Sequence, residues 1–157
     1  MHEFERQGTT QTLAEGIAEY YRQNSQLSEV RGMTPEAREF FRCHDAAHVV
    51  FGCTTSLPHE AVVKLSSIFG TTGGFSVLKG YALHESTSIY RELALAEIVQ
   101  TLLRAVVIVP RTVYRCLRQH KRWPWQEFWT YRDTPLGTLR AEFGIRVAGP
   151  GGSGNDG

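Results

Sequence analysis

Apolar positions recur at helical spacing along most of the chain. Between Thr12 and Gln23 they place Leu13, Ile17, Tyr20 and Tyr21 on one side of a short helix. A second amphipathic run has a marked start, with Thr34 as N-cap, Pro35 at the first helical position and Glu36 in the first turn. It extends to about Phe51, where Gly52 supplies the stop. Ser56 and Pro58 open a third helix that ends near Phe69, ahead of the breaker Gly-Thr-Thr-Gly-Gly at 70–74. Phe75 to Leu83 reads as a short helix, although Val77, Leu78, Tyr81 and Leu83 would also suit a strand. The longest helix runs from about Ser88 to Val109 and continues past Pro110, as a kinked or separate segment, to about His120. Arg-Trp-Pro-Trp (122–125) marks a turn, and Gln126–Tyr131 and Leu136–Phe143 read as two short helices. Strict apolar–polar alternation is nearly absent. The pattern predicts an all-α fold: one compact multi-helix domain over residues 10–147, a flexible N-terminus over 1–9 and a disordered glycine-rich tail over 148–157.

The second helix carries the candidate chemistry. On a helical wheel Phe40, Phe41, His44, Ala47, His48 and Phe51 share one stripe, so both histidines lie on the face that packs inward. Four residues apart, their rings stack one turn above the other and two nitrogens can reach one point, as in His-Glu-x-x-His zinc sites, with Asp45 in the place of the glutamate. His48 lies about one turn before the stop at Gly52, and Glu60 about one turn into the next helix. If the two helices fold back antiparallel, Glu60 returns to the level of His48. Two imidazoles with one or two carboxylates suit a divalent metal: zinc first, with ferrous iron, cobalt or manganese as alternatives. Each residue also has a plainer reading: a buried histidine as core, Asp45 as a surface residue, Glu60 as a partner of the helix dipole.

Composition limits the function classes. At 157 residues, 41% hydrophobic and 21% charged, the chain suits one ordinary globular domain, and a net charge of +1 gives no global field for nucleic acid. The charge is uneven: Arg104 to Arg146 holds nine basic residues against three acidic ones. Cys43, Cys53 and Cys116 form no disulfide framework and favour a reducing compartment, with Cys43 read as packing. No secretory or transit segment is evident at the N-terminus, which leads to an expectation of a cytoplasmic protein. Leu93 to Val109, interrupted by Glu97, Gln100 and Arg104, is too short and too polar to span a bilayer.

The run Cys43 to Lys64 (CHDAAHVVFGCTTSLPHEAVVK) resembles the signature of the Coq-four family of coenzyme Q (ubiquinone) biosynthesis proteins: His-Asp, two residues, His, eleven residues, Glu. His44, Asp45, His48 and Glu60 fall in register, and Thr138 to Ile145 (TLRAEFGI) is similar to the family's closing helix. Thr54 and His59 depart from the family's proline and glycine. The resemblance implies a mostly helical protein with His44, Asp45, His48 and Glu60 as metal ligands. It further implies peripheral association with the inner face of a membrane and binding of a polyprenylated aromatic or isoprenoid lipid. The implied activity is oxidative removal of the ring carboxyl of a polyprenylated hydroxybenzoate-type precursor, which would make the protein a metal-dependent decarboxylase, a lyase. Other quinone-biosynthesis proteins are implied partners, and a homodimer stays open.

The lipid side has its own residues. Leu102 and Val106 lie on an apolar helix, and Arg104, Arg111 and Arg115 are candidates for a phosphate or carboxylate head. Trp123 and Trp125 follow among further basic residues. A non-catalytic prenyl-lipid-binding scaffold with a structural metal is the main alternative. A zincin-type hydrolase with Asp45 as base is weaker, because aspartate is one methylene short for that role.

Overall fold

A computed structural model describes residues 1–25, 33–84 and 95–148, and the side chains of all these except 83, 84 and 95–104. Six α-helices form the described part, and no strand occurs among the described residues: α1 (Leu13–Gln23), α2 (Pro35–Val50), α3 (Leu57–Phe69), α4 (Val77–His84), α5 (Leu95–Leu117) and α6 (Leu136–Phe143). The fold is all-α, as the periodicity predicts.

Local chemistry sets the helix ends. Thr12 and Glu15 close a capping box on α1, each side chain taking the other's backbone N–H. Thr34 accepts the Ala37 N–H at 3.2 Å and Pro35 occupies the first turn of α2. At the far end Gly52 adopts φ +65°, a conformation in which a side chain is strained, and the chain turns back. α3 then runs back along α2: its first turn meets the last turn of α2, and Ser67, two turns on, approaches the level of His44 through Tyr81. The region left open between helix and strand is a 3-10 turn, Gly74–Ser76, followed by α4.

Pro110 sits inside α5 and does not end it. The lost hydrogen bond would have gone to the Val106 carbonyl, and both residues lie on the exposed side, where water can serve that oxygen. The opposite side packs along α3. α5 stops at Leu117, short of His120, whose N–H is taken by the Phe143 carbonyl at the end of α6. The expected start near Ser88 lies outside the described residues. The segment 126–131 holds only a 3-10 turn, Phe128–Tyr131, while α6 falls where the pattern predicts it.

The N-terminal residues differ from expectation. Phe4 is 1% exposed, a 3-10 turn spans Glu3–Glu5, and Gln7 bonds the backbone at both Ile145 and Val147. At the other end Ala148 donates to the Phe51 carbonyl, and residues 149–157 lie outside the described ones. The element tying these ends down is Arg140. It is 0% exposed and donates to four carbonyls: Val49 and Val50 at the end of α2, and Phe4 and Arg6 in the N-terminal segment. Burial lowers its pKa to about 10, so it is a cation at neutral pH. Its guanidinium satisfies two of the carbonyls that any helix end leaves open.

Candidate metal centre

His44 and His48 project from the inward face of α2, and Glu60 enters from the first turn of α3. The two Nε2 atoms are 3.1 Å apart. Glu60 Oε1 lies 3.2 Å from His48 Nε2 and Oε2 lies 3.6 Å from His44 Nε2. Donors about 2.0–2.1 Å from a zinc ion at the tetrahedral angle lie about 3.3–3.4 Å apart, so the two nitrogens and the carboxylate stand at spacings that suit neighbouring corners of a coordination polyhedron.

The other ring nitrogens show why. His48 Nδ1 faces the Cys53 carbonyl at 3.3 Å. A carbonyl only accepts, so neutral His48 carries its proton on Nδ1 and presents a bare Nε2. The same residue's own carbonyl takes the Cys53 N–H at 2.7 Å, which fixes the turn that Gly52 opens. His44 Nδ1 faces the Tyr81 hydroxyl at 3.0 Å. The two Nε2 atoms and a carboxylate thus converge on one point, and such a set is stable with a cation among them, a proton or a metal. His44, His48 and Glu60 can hold a metal ion: their ligating atoms all lie within 4.8 Å of one another.

Surroundings favour fixed rings and an ionised carboxylate. Tyr20 stacks on His48 at 5.1 Å and Phe40 lies parallel to His44 at 6.3 Å. Burial pushes the Glu60 carboxyl up, but hydrogen bonds and charge from His44 and His48 outweigh it and hold the group well below the usual carboxylate range.

Of the four expected ligands, His44, His48 and Glu60 form this group and Asp45 stands outside it. Adjacent helix residues diverge by about 100°, so Asp45 leaves the ring positions of His44 and accepts the Tyr21 hydroxyl of α1 at 2.8 Å. It is buried, and burial raises its pKa despite the opposing charge of His44 and the Tyr21 bond. His59 is also turned away from the group, its Nδ1 accepting the Thr54 N–H at 2.9 Å. Cys43, Cys53 and Cys116 are free and buried, burial with the nearby Glu39 raises the Cys43 thiol to about 12, and none of the three belongs to the group.

Among the described residues, the candidate lipid positions line no internal groove. The side chains of Leu102 and Arg104 lie outside the described ones. Val106 is 73% exposed and Arg111 is also exposed, while Arg115 turns to the C-terminal segment and donates to the Val147 carbonyl at 3.3 Å. A cavity beside Arg115, Cys116 and Arg146 holds about 10 Å³, room for one water and not for an isoprenoid unit. No helix among the described residues is long and apolar enough to cross a membrane.

Sequence reasoning missed two residues. Tyr81 offered no signal, since its partner in space is 37 residues away. Arg140 did offer one: it shares the buried stripe of α6 with Leu136, Leu139 and Phe143, an unusual place for a charge. Compared with known proteins, the chain matches no family model, no curated protein and no solved structure.

Proposed function

We propose that this protein is a metal-dependent enzyme of quinone biosynthesis, holding zinc, or alternatively iron, cobalt or manganese, on His44, His48 and Glu60. Its substrate is a polyprenylated hydroxybenzoate-type precursor whose ring carboxyl leaves as carbon dioxide, with dioxygen as the external two-electron oxidant. The observation that carries the metal reading is the convergence of two imidazole nitrogens and a carboxylate within 4.8 Å. The substrate reading rests on the resemblance of residues 43–64 to the Coq-four signature. A bound divalent ion would supply a Lewis acid or, for the redox-active metals, an electron relay. Three protein ligands leave a position that a substrate carboxylate can take. The protein's own part is to orient the two imidazoles through Cys53 and Tyr81 and to keep Glu60 ionised.

Elemental analysis of the purified protein beside His48→Ala tests this reading. Near-stoichiometric metal in the wild type, lost in the variant and lost on mild acidification as imidazoles protonate, is expected. Carbon dioxide release from prenylated hydroxybenzoates is then the activity to measure. A wild type that takes up no metal even on reconstitution would return His44 and His48 to the core.

One observation favours a second reading, a prenyl-lipid-binding scaffold seated peripherally on a membrane beside other biosynthetic proteins. Val106, Val107, Pro110, Tyr114 and Leu117 lie exposed along one side of α5, with Arg111 and Arg118 beside them. Such a face suits an anionic lipid surface. Sedimentation with anionic vesicles is expected for the wild type and reduced at least about tenfold in Val106→Asp/Leu117→Asp. If both proteins stay in the supernatant, the peripheral membrane reading falls.

A further inference from the structure

The two histidines are oriented by different means. For His48 the backbone settles which nitrogen is bare, because its Nδ1 faces a carbonyl. His44 Nδ1 instead faces a hydroxyl, that of Tyr81 at 3.0 Å, and a hydroxyl can give or take a proton. If Tyr81 donates, the His44 proton moves to Nε2, 3.1 Å from His48 Nε2, and blocks the shared point. If Tyr81 accepts, His44 presents a bare Nε2. The choice depends on a second acceptor for the tyrosine proton, and Ser67 Oγ lies 3.4 Å away, fully buried on α3.

We propose that Tyr81 is a positioning residue of the metal centre, directing its proton to Ser67 and accepting that of His44, so that the His44 Nε2 lone pair points at the ion. This rests on the reading of His44, His48 and Glu60 as metal ligands. The ring of Tyr81 is held separately from its hydroxyl. It meets Phe40 edge-on at 5.0 Å and His44 edge-on at 5.5 Å, and Lys64 lies over it. Tyr81→Phe therefore removes the hydroxyl and keeps the packing. Partners of this kind on metal-bound histidines typically change affinity by about 10–100-fold.

The test is zinc titration against a chromophoric chelator for the wild type, Tyr81→Phe, Ser67→Ala and the double variant. Tyr81→Phe is expected to bind about 10–100-fold more weakly. Ser67→Ala should move the same way by less, and the double variant should be no weaker than Tyr81→Phe, because Ser67 acts through Tyr81. In the cobalt-loaded protein the two imidazole Nδ1–H protons should give hyperfine-shifted, slowly exchanging resonances. That of His44 should exchange fast or vanish in Tyr81→Phe, while that of His48 persists. A merely structural tyrosine would lower the melting temperature of the metal-free protein and leave affinity and both resonances alone. If the wild type binds zinc and Tyr81→Phe binds it within about twofold, far below the usual effect of such a partner, with both resonances intact, the positioning role is overturned and the metal centre stands. If the wild type binds no zinc or cobalt, both fall together. Should Tyr81→Phe fail to fold, Ser67→Ala, which leaves the aromatic cluster intact, decides by the same two readouts.

Discussion

Glu60 sits between opposing influences. Its burial favours the neutral acid, and the imidazoles of His44 and His48 favour the carboxylate and prevail. A value depressed in the folded state stabilises the fold above the ordinary carboxylate value of about 4.3, and that contribution is lost as pH falls through and below it. Asp45 acts in the other direction: burial raises its value, so its contribution is present at low pH and lost as pH rises through the folded value. Melting curves of the metal-free protein between about pH 6 and pH 3 should therefore separate. The wild type should lose stability with acid more steeply than Glu60→Gln, which lacks the Glu60 contribution. Parallel curves would count against pairing of Glu60 with the histidines. The histidines and Glu60 were legible at this scale, because i, i+4 spacing and a short return loop are arithmetic on the chain. Asp45 stands apart from them because adjacency in sequence is divergence on a helix. Tyr21, which holds it, sits on a separate helix that no local pattern connects to Asp45.

Among the elements, α2 was the most legible, since Thr34, Pro35 and Gly52 mark both its ends. α4 was the least, being only eight residues long, and what places it is a contact across the fold. Gly80 lies against the Phe40 ring so closely that an added Cβ would stand 2.2 Å from Cδ2 and Cε2. The glycine lets α4 rest on α2 and brings Tyr81 to His44. Gly80→Ala should cost about 1–3 kcal/mol as an overpacking change and weaken metal binding as Tyr81 is displaced. Melting temperature and zinc titration on one preparation measure both effects. A variant with full stability and affinity would mean that Phe40 swings aside freely. The helix continues past Pro110 as expected, and in one piece, because a proline ends a helix only when nothing else supports it. The α3 contact of α5 supplies that support, and it belongs to tertiary structure.

For the whole molecule Arg140 is the joint. One guanidinium bonds the end of α2 and two N-terminal carbonyls, and no carboxylate is among the four groups it contacts. Lysine keeps the charge without the planar fork, so Arg140→Lys leaves buried carbonyls unpaired and should cost at least about 2 kcal/mol. For a domain of this size that is a fall of roughly 4–8 °C in Tm. An unchanged Tm would show that water or another donor replaces the fork. The N-terminal residues were expected to fray because a short polar segment carries no sign of a distant arginine.

The same joint bears on the order of assembly. Every residue of the candidate centre, Tyr81 included, leaves the ribosome before Arg140, which lies 90 residues beyond the Val50 carbonyl it binds and 136 beyond that of Phe4. Contacts so distant along the chain form late and slow folding. The histidine helix is thus synthesised early and finished last. Nascent chains stalled ahead of α6 should expose ligands that bind metal loosely, and the tight site should mature only when the closing helix docks.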